Sequence, residues 1–160
     1  MLSAVCLIRT TARTSARSLE PQTAKYLAAF AYVLARVAHA DLSIDSEETT
    51  AMERIVSHLA ELAPDETSLV VEIAKSQARL LGGTENYVVT REFRKISTRE
   101  QRAKLLECLY AVAAADGSIT GPESSEIVAI AEELGFTRPE VNALRSAYRD
   151  KLSEFQTRSG

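Results

Sequence analysis

Tryptophan is absent from this 160-residue chain, and glycine (six), proline (four), cysteine (two) and histidine (two) are scarce. So little glycine and proline excludes collagen-like and low-complexity chains. Two cysteines, Cys6 and Cys108, make neither a disulfide framework nor a zinc spacing. Cys108 falls on the apolar side of a predicted helix and reads as a buried thiol, which points to a reducing compartment and a cytoplasmic location. No apolar run is long enough to cross a bilayer. The first residues lack a basic stretch before their brief apolar part, so a secretory signal is not expected. A formal net charge of −3 gives no global argument for nucleic acid. What remains is 46% hydrophobic and 26% charged residues, the composition of a soluble globular chain that can bury one continuous core.

One further absence is local: no acid precedes Glu20. Arg9, Arg13 and Arg17 recur four apart there, and on a helix they form a stripe beside Val5, Ile8, Ala12 and Leu19. Residues 1–20 are expected to be a separate amphipathic or frayed segment. A transit peptide or a surface-binding helix are the functional alternatives to a docked N-terminal helix. The folded domain is expected over 21–155.

From Pro21 onward the apolar period is helical. Phe30, Val33, Leu34 and Val37 recur at i, i+3, i+4 and i+7, and Met52, Ile55, Val56 and Leu59 repeat that spacing. Leu69, Val70, Ile73 and Leu80 predict a third helix ending before Gly82-Gly83, and a shorter one follows from about Thr84 to Ile96. Ser97 or Thr98, with Glu100 or Gln101, caps a helix that carries Leu105, Leu106, Leu109 and Val112. Thr120 opens the next, which closes at Gly135, and Thr137-Arg138-Pro139-Glu140 caps the last. Sustained period-2 alternation is missing, so the predicted fold is all-α, a single-domain bundle of about seven helices.

A constant offset of 75 residues relates Asp41 to Asp116, Ile44 to Ile119 and Glu48 to Glu123. The same offset pairs Phe30 with Leu105, Val33 with Cys108, Leu34 with Leu109, Val37 with Val112, Met52 with Ile127, Ile55 with Ile130 and Leu59 with Leu134. Apolar meets apolar each time, which reads as a repeated helix-turn-helix unit.

Those turns, Ala40-Asp41-Leu42-Ser43-Ile44 to Glu48 and Ala115-Asp116-Gly117-Ser118-Ile119 to Glu123, resemble the tellurite resistance protein TerB family. Glu-Leu-Gly-Phe-Thr at 133–137 is similar to the family's usual ending, and the resemblance spans roughly 24–152. Leu42 departs from it, standing where Gly is usual. The resemblance implies a compact all-helical domain, no established catalysis, an association with tellurite and other stress responses, and a role for the acidic turns in metal binding. A related version precedes a J-domain in a membrane co-chaperone, but this chain has no His-Pro-Asp.

Read residue by residue, neither turn is an EF-hand. Ser46 occupies position 6 of the first, and Met52 and Ile127 occupy position 12. A shorter oxygen-rich site for a divalent cation would use Asp41, Asp45, Glu48, Asp116 and Glu123. The alternative needs no ion: Asp45 with Glu48, and Thr120 with Glu123, form capping boxes, while Asp41 and Asp116 close Asx-turns. Gly117 takes a positive φ more cheaply than Leu42, so the second turn is expected to aim Asp116 and Glu123 inward more easily.

Residues 41–66 hold eight acids against Arg54, and residues 91–104 hold six basic residues against two acids. Such a dipolar surface suits a protein partner or a lipid headgroup; nucleic acid is not expected, because only Phe93 interleaves with the basic cluster. Elbow, Walker, Rossmann and H-E-x-x-H motifs are all absent, and His39 and His58 stand alone, so catalysis is not expected. Two functions remain: a metal-binding stress-response module, or a non-enzymatic helical adaptor whose acidic turns are structural.

Overall fold

The computed structural model describes residues 21–40, 44–60, 63–81 and 86–152. Seven α-helices lie among them: α1 Pro21–Ala38, α2 Ser46–Ala60, α3 Pro64–Leu81, α4 Asn86–Ile96, α5 Arg99–Ala113, α6 Gly121–Glu133 and α7 Arg138–Ser146. A 3-10 turn follows at Arg149–Lys151. Among the described residues there is no strand, only an isolated bridge between Ile119 and Leu152. The fold is the all-α bundle the periodicity predicts. The head at 1–20 and Asp41 lie outside the described residues.

The centre of the bundle is α1. The sequence marks one apolar stripe on it, but the helix is buried on every side from Leu27 to Ala38. The missed faces are alanines, Ala28, Ala29, Ala31, Ala35 and Ala38, whose small side chains let neighbouring backbones approach. Helices α2, α3, α4, α5 and α6 all pack against it. A helix apolar all round belongs in an interior. Tyr26, Phe30 and Phe93 form an aromatic cluster between α1 and α4, with ring centroids 5.4 to 6.0 Å apart.

One buried charge ties three helices together. Arg36 on α1 is only 9% exposed, and its guanidinium donates to Glu126 on α6, to both carboxylate oxygens of Glu133 (3.0 and 3.3 Å) and to the Thr90 hydroxyl on α4 (2.9 Å). The planar fork of arginine suits several acceptors at once.

Helix ends follow the local sequence. Thr98, Thr120 and Thr137 are N-caps in complete capping boxes with Gln101, Glu123 and Glu140. At the end of α6, Gly135 has φ 90°, the Gly135 N–H donates to Glu132 O (3.0 Å) and the Phe136 N–H donates to Ala131 O (2.9 Å). This is a Schellman motif, which accounts physically for the Leu-Gly-Phe ending. Arg102 adds a bond to Leu134 O (3.0 Å) and Arg94 one to Glu133 O (3.4 Å). Arg99 lies over the Phe136 ring and pairs with Glu140. Much of the basic cluster noted in the sequence thus serves the α6–α7 corner. No helix among the described residues is long and apolar enough to cross a membrane.

Candidate acidic site at two helix N-termini

Each acidic turn delivers its glutamate to the third position of a helix, one turn inside the N-terminus. On α2, the Asp45 carboxylate accepts from the Glu48 N–H (2.8 Å) and Glu48 accepts from the Asp45 N–H (3.0 Å). On α6, the Thr120 hydroxyl oxygen accepts from the Glu123 N–H (3.3 Å), while Glu123 Oε1 accepts from the Thr120 N–H (3.0 Å) and hydroxyl (2.7 Å). The reciprocal bonds hold both glutamates in one rotamer and satisfy backbone donors that the helix leaves open. Apolar neighbours then press them inward: Ile119 is 1% exposed and Ile44 packs against the core.

The two glutamates meet. Glu48 is 3% and Glu123 1% exposed, and their carboxyls lie close enough to act on one another. Burial pushes Glu48 up to about 8; the Asp45 backbone bond opposes this, and contact with Glu123 reinforces it. Two carboxylates in contact away from water cannot both stay ionised without a counter-charge. One proton bridging the pair is the physical solution at neutral pH.

The other acids behave differently. Asp116 is exposed, and its carboxylate accepts from the Ser118 N–H at 3.0 Å, closing an Asx-turn. Gly117 has the expected positive φ, 96°, yet this geometry turns Glu123 inward and leaves Asp116 at the surface. Asp45 is committed to its cap. An aspartate at the C-terminal end of α5 is tolerated because a turn amide uses its oxygen. Among the described residues, no group of three or more His, Cys, Asp or Glu side chains is gathered for a metal. The donors that do converge are carboxylate oxygens, which match a hard cation better than zinc or copper.

A family model described as Tellurite resistance protein TerB matches residues 27–146. The chain belongs to this family. Searches of curated proteins and of solved structures returned no match. The TerB region begins within α1 and ends with α7, so it contains both turns, the glutamate pair and the Arg36 network, while 1–20 falls outside it. Sequence reasoning named both glutamates of this TerB domain but not their contact. The available signal was that they are equivalent positions at the 75-residue offset. Arg36 was missed altogether; its signal was a lone charge within AYVLARVAHA.

Proposed function

We propose that this TerB-family domain is a non-enzymatic, cytoplasmic stress-response module, linked to tellurite resistance, that binds a divalent cation through its acidic turns. The observation that carries the reading is the contact between the buried carboxyls of Glu48 and Glu123. A cation with oxygen preference could replace the bridging proton there and neutralise both carboxylates. Asp41, named with them from the sequence, lies outside the described residues, and for Asp45 and Asp116 to add oxygens Asp45 must release its cap and Asp116 turn in from the surface. The positive ends of α2 and α6 oppose a cation, so binding requires both glutamates to ionise. Calorimetric titration of the full chain with calcium, magnesium, manganese and zinc tests this. Saturable heat that Glu123→Gln removes is the expected result. No heat and no chemical-shift change at millimolar metal would refute it.

The adaptor reading rests on a different observation. The bonds of Asp45, Asp116 and Glu48 to backbone N–H groups make sense as helix capping and turn closure without an ion, and Leu69, Leu80, Tyr87 and Val88 are exposed. In that reading the domain docks a protein partner, in the cytoplasm or at a membrane surface. Partner capture from native lysate that survives chelator and the Asp41→Asn, Asp116→Asn double variant favours it over the metal-binding module.

A further inference from the structure

Helices α6 and α7 leave a groove of about 380 Å³ between them, and two smaller spaces, of about 120 and 220 Å³, open beside it towards Thr120-Gly121 and towards Arg149. Arg145 on α7 lines all three. The groove is separate from the carboxylate pair. Glu123 is committed to Thr120 and Glu48 in the interior, whereas Ser124 and Ser125, the next two residues of α6, line the groove. Ser124 is only 9% exposed, and among the described residues its hydroxyl takes part in no hydrogen bond. A hydroxyl inside a helix commonly returns to the carbonyl four residues back, as those of Thr49, Thr67 and Thr90 do here. Ser124 instead turns its hydroxyl to the groove. A second unpartnered hydroxyl lies close by, on α5. The Tyr110 ring is fully buried and stacked on Tyr148 at 5.3 Å, and its oxygen has no partner. Burial pushes this phenol up to about 12 and the charge of Arg145 opposes the rise, so the hydroxyl sits within the field of that guanidinium.

Buried polar groups are ordinarily paired, and two unpartnered hydroxyls beside one arginine call for an acceptor from outside the chain. The charge balance favours an anion. Among the described residues, Glu132 is the only carboxylate lining these spaces, and it is paired with Arg138 at 2.7 Å. The floor is apolar, formed by Val128, Ala129 and Val141, and the volume falls in the range of small-molecule sites, about 300–1,000 Å³. We infer that this groove binds a phosphate monoester with a small apolar body. Arg145 supplies the charged fork, the Ser124 hydroxyl and the exposed Asn142 amide supply flanking donors, and the floor covers the body. A phosphate offers three oxygens in different directions and so meets the fork and both flanking donors at once, whereas a carboxylate offers two in one plane. The positive end of α6, at Thr120-Gly121, favours the same charge.

Amide chemical shifts of the full chain, titrated with phenyl phosphate in chelator, test the site with no metal at the carboxylate pair. The shifts should saturate and stay within residues 121–128 and 138–149. Phenyl phosphate should bind about tenfold tighter than inorganic phosphate, because the apolar floor covers its ring. Asn142→Asp sets a carboxylate in the groove at an exposed position and should weaken binding about tenfold or more at an unchanged melting temperature. Ser124→Ala should weaken it about threefold. Arg91→Gln removes an exposed charge on α4 and should change nothing. Shifts that fail to saturate, that Asn142→Asp leaves intact, or that Arg91→Gln weakens equally would overturn the inference, and equal affinity for inorganic phosphate would overturn the ester. Co-sedimentation with phosphatidic acid vesicles that phenyl phosphate displaces would support the site with its phosphate on a lipid headgroup. A chain that binds phenyl phosphate but stays in solution would support a soluble monoester.

Discussion

Glu48 illustrates how burial and contact act on one side chain. Its carboxyl is raised from 4.5 to about 8 in the folded chain, first by loss of water and then by Glu123. A folded-state value above the unfolded one means that the native protein holds the extra proton between those limits. Its contribution is then complete below about pH 4.5 and is lost as pH climbs through about 8. In chelator, the melting temperature should fall on the order of 5 °C from pH 5 to pH 8.5 through this group. Glu48→Gln mimics the protonated acid and should flatten that part of the profile. Thermal melts across the range decide it, and a variant that keeps the wild-type slope would show that another group carries the proton. Asp116→Asn offers the contrast. Asparagine also closes an Asx-turn, so its stability should match wild type within about 0.5 kcal/mol by urea unfolding.

Helix endings depend on two glycines whose surroundings differ. Gly117 and Gly135 both have positive φ, at 96° and 90°, but a Cβ at 117 would meet nothing within 4 Å whereas one at 135 would lie 2.9 Å from Arg94 Nη2. Gly117→Ala should cost about 1 kcal/mol, the left-handed penalty alone. Gly135→Ala should cost more, because Arg94 must also leave the last carbonyl of α6. Measured by urea unfolding, the excess should vanish in an Arg94→Ala background. If the two alanine variants cost the same in the wild-type background, the contact with Arg94 carries no weight. At this scale the sequence was largely readable. Thr98, Thr120, Thr137 and Gly135 mark their helix boundaries through chemistry that acts within three or four residues of chain.

Across the whole molecule, Arg36 joins α1, α4 and α6 through one guanidinium. Burial works against its charge, while the bonds and fields of Glu133 and Glu126 hold the guanidinium protonated, with its pKa raised. Removing it leaves Glu126 and Glu133 without their buried partner, so Arg36→Ala should cost about 3 kcal/mol. Lysine lacks the fork that reaches both Glu133 oxygens and Thr90, and Arg36→Lys should recover less than half of that loss. Chemical denaturation gives both numbers. Full recovery by lysine would mean that charge alone, without the bidentate geometry, holds these helices together.

What the sequence determined by itself is what depends on neighbours along the chain: the seven helices among the described residues, their caps, the positive-φ glycines, and the identity of Glu48 and Glu123 as paired N3 acids. Tertiary structure decided the rest. That α1 is central follows from five helices packing on alanines, which periodicity treats as neutral. That Glu48 meets Glu123 while Asp116 stays in water follows from how α2 and α6 are brought together across the core. Arg36 finds Glu126 and Glu133 about ninety residues away. Such long-range pairings are set by the packing of whole helices, because burial rewards shape and volume without recording which distant side chain will be adjacent.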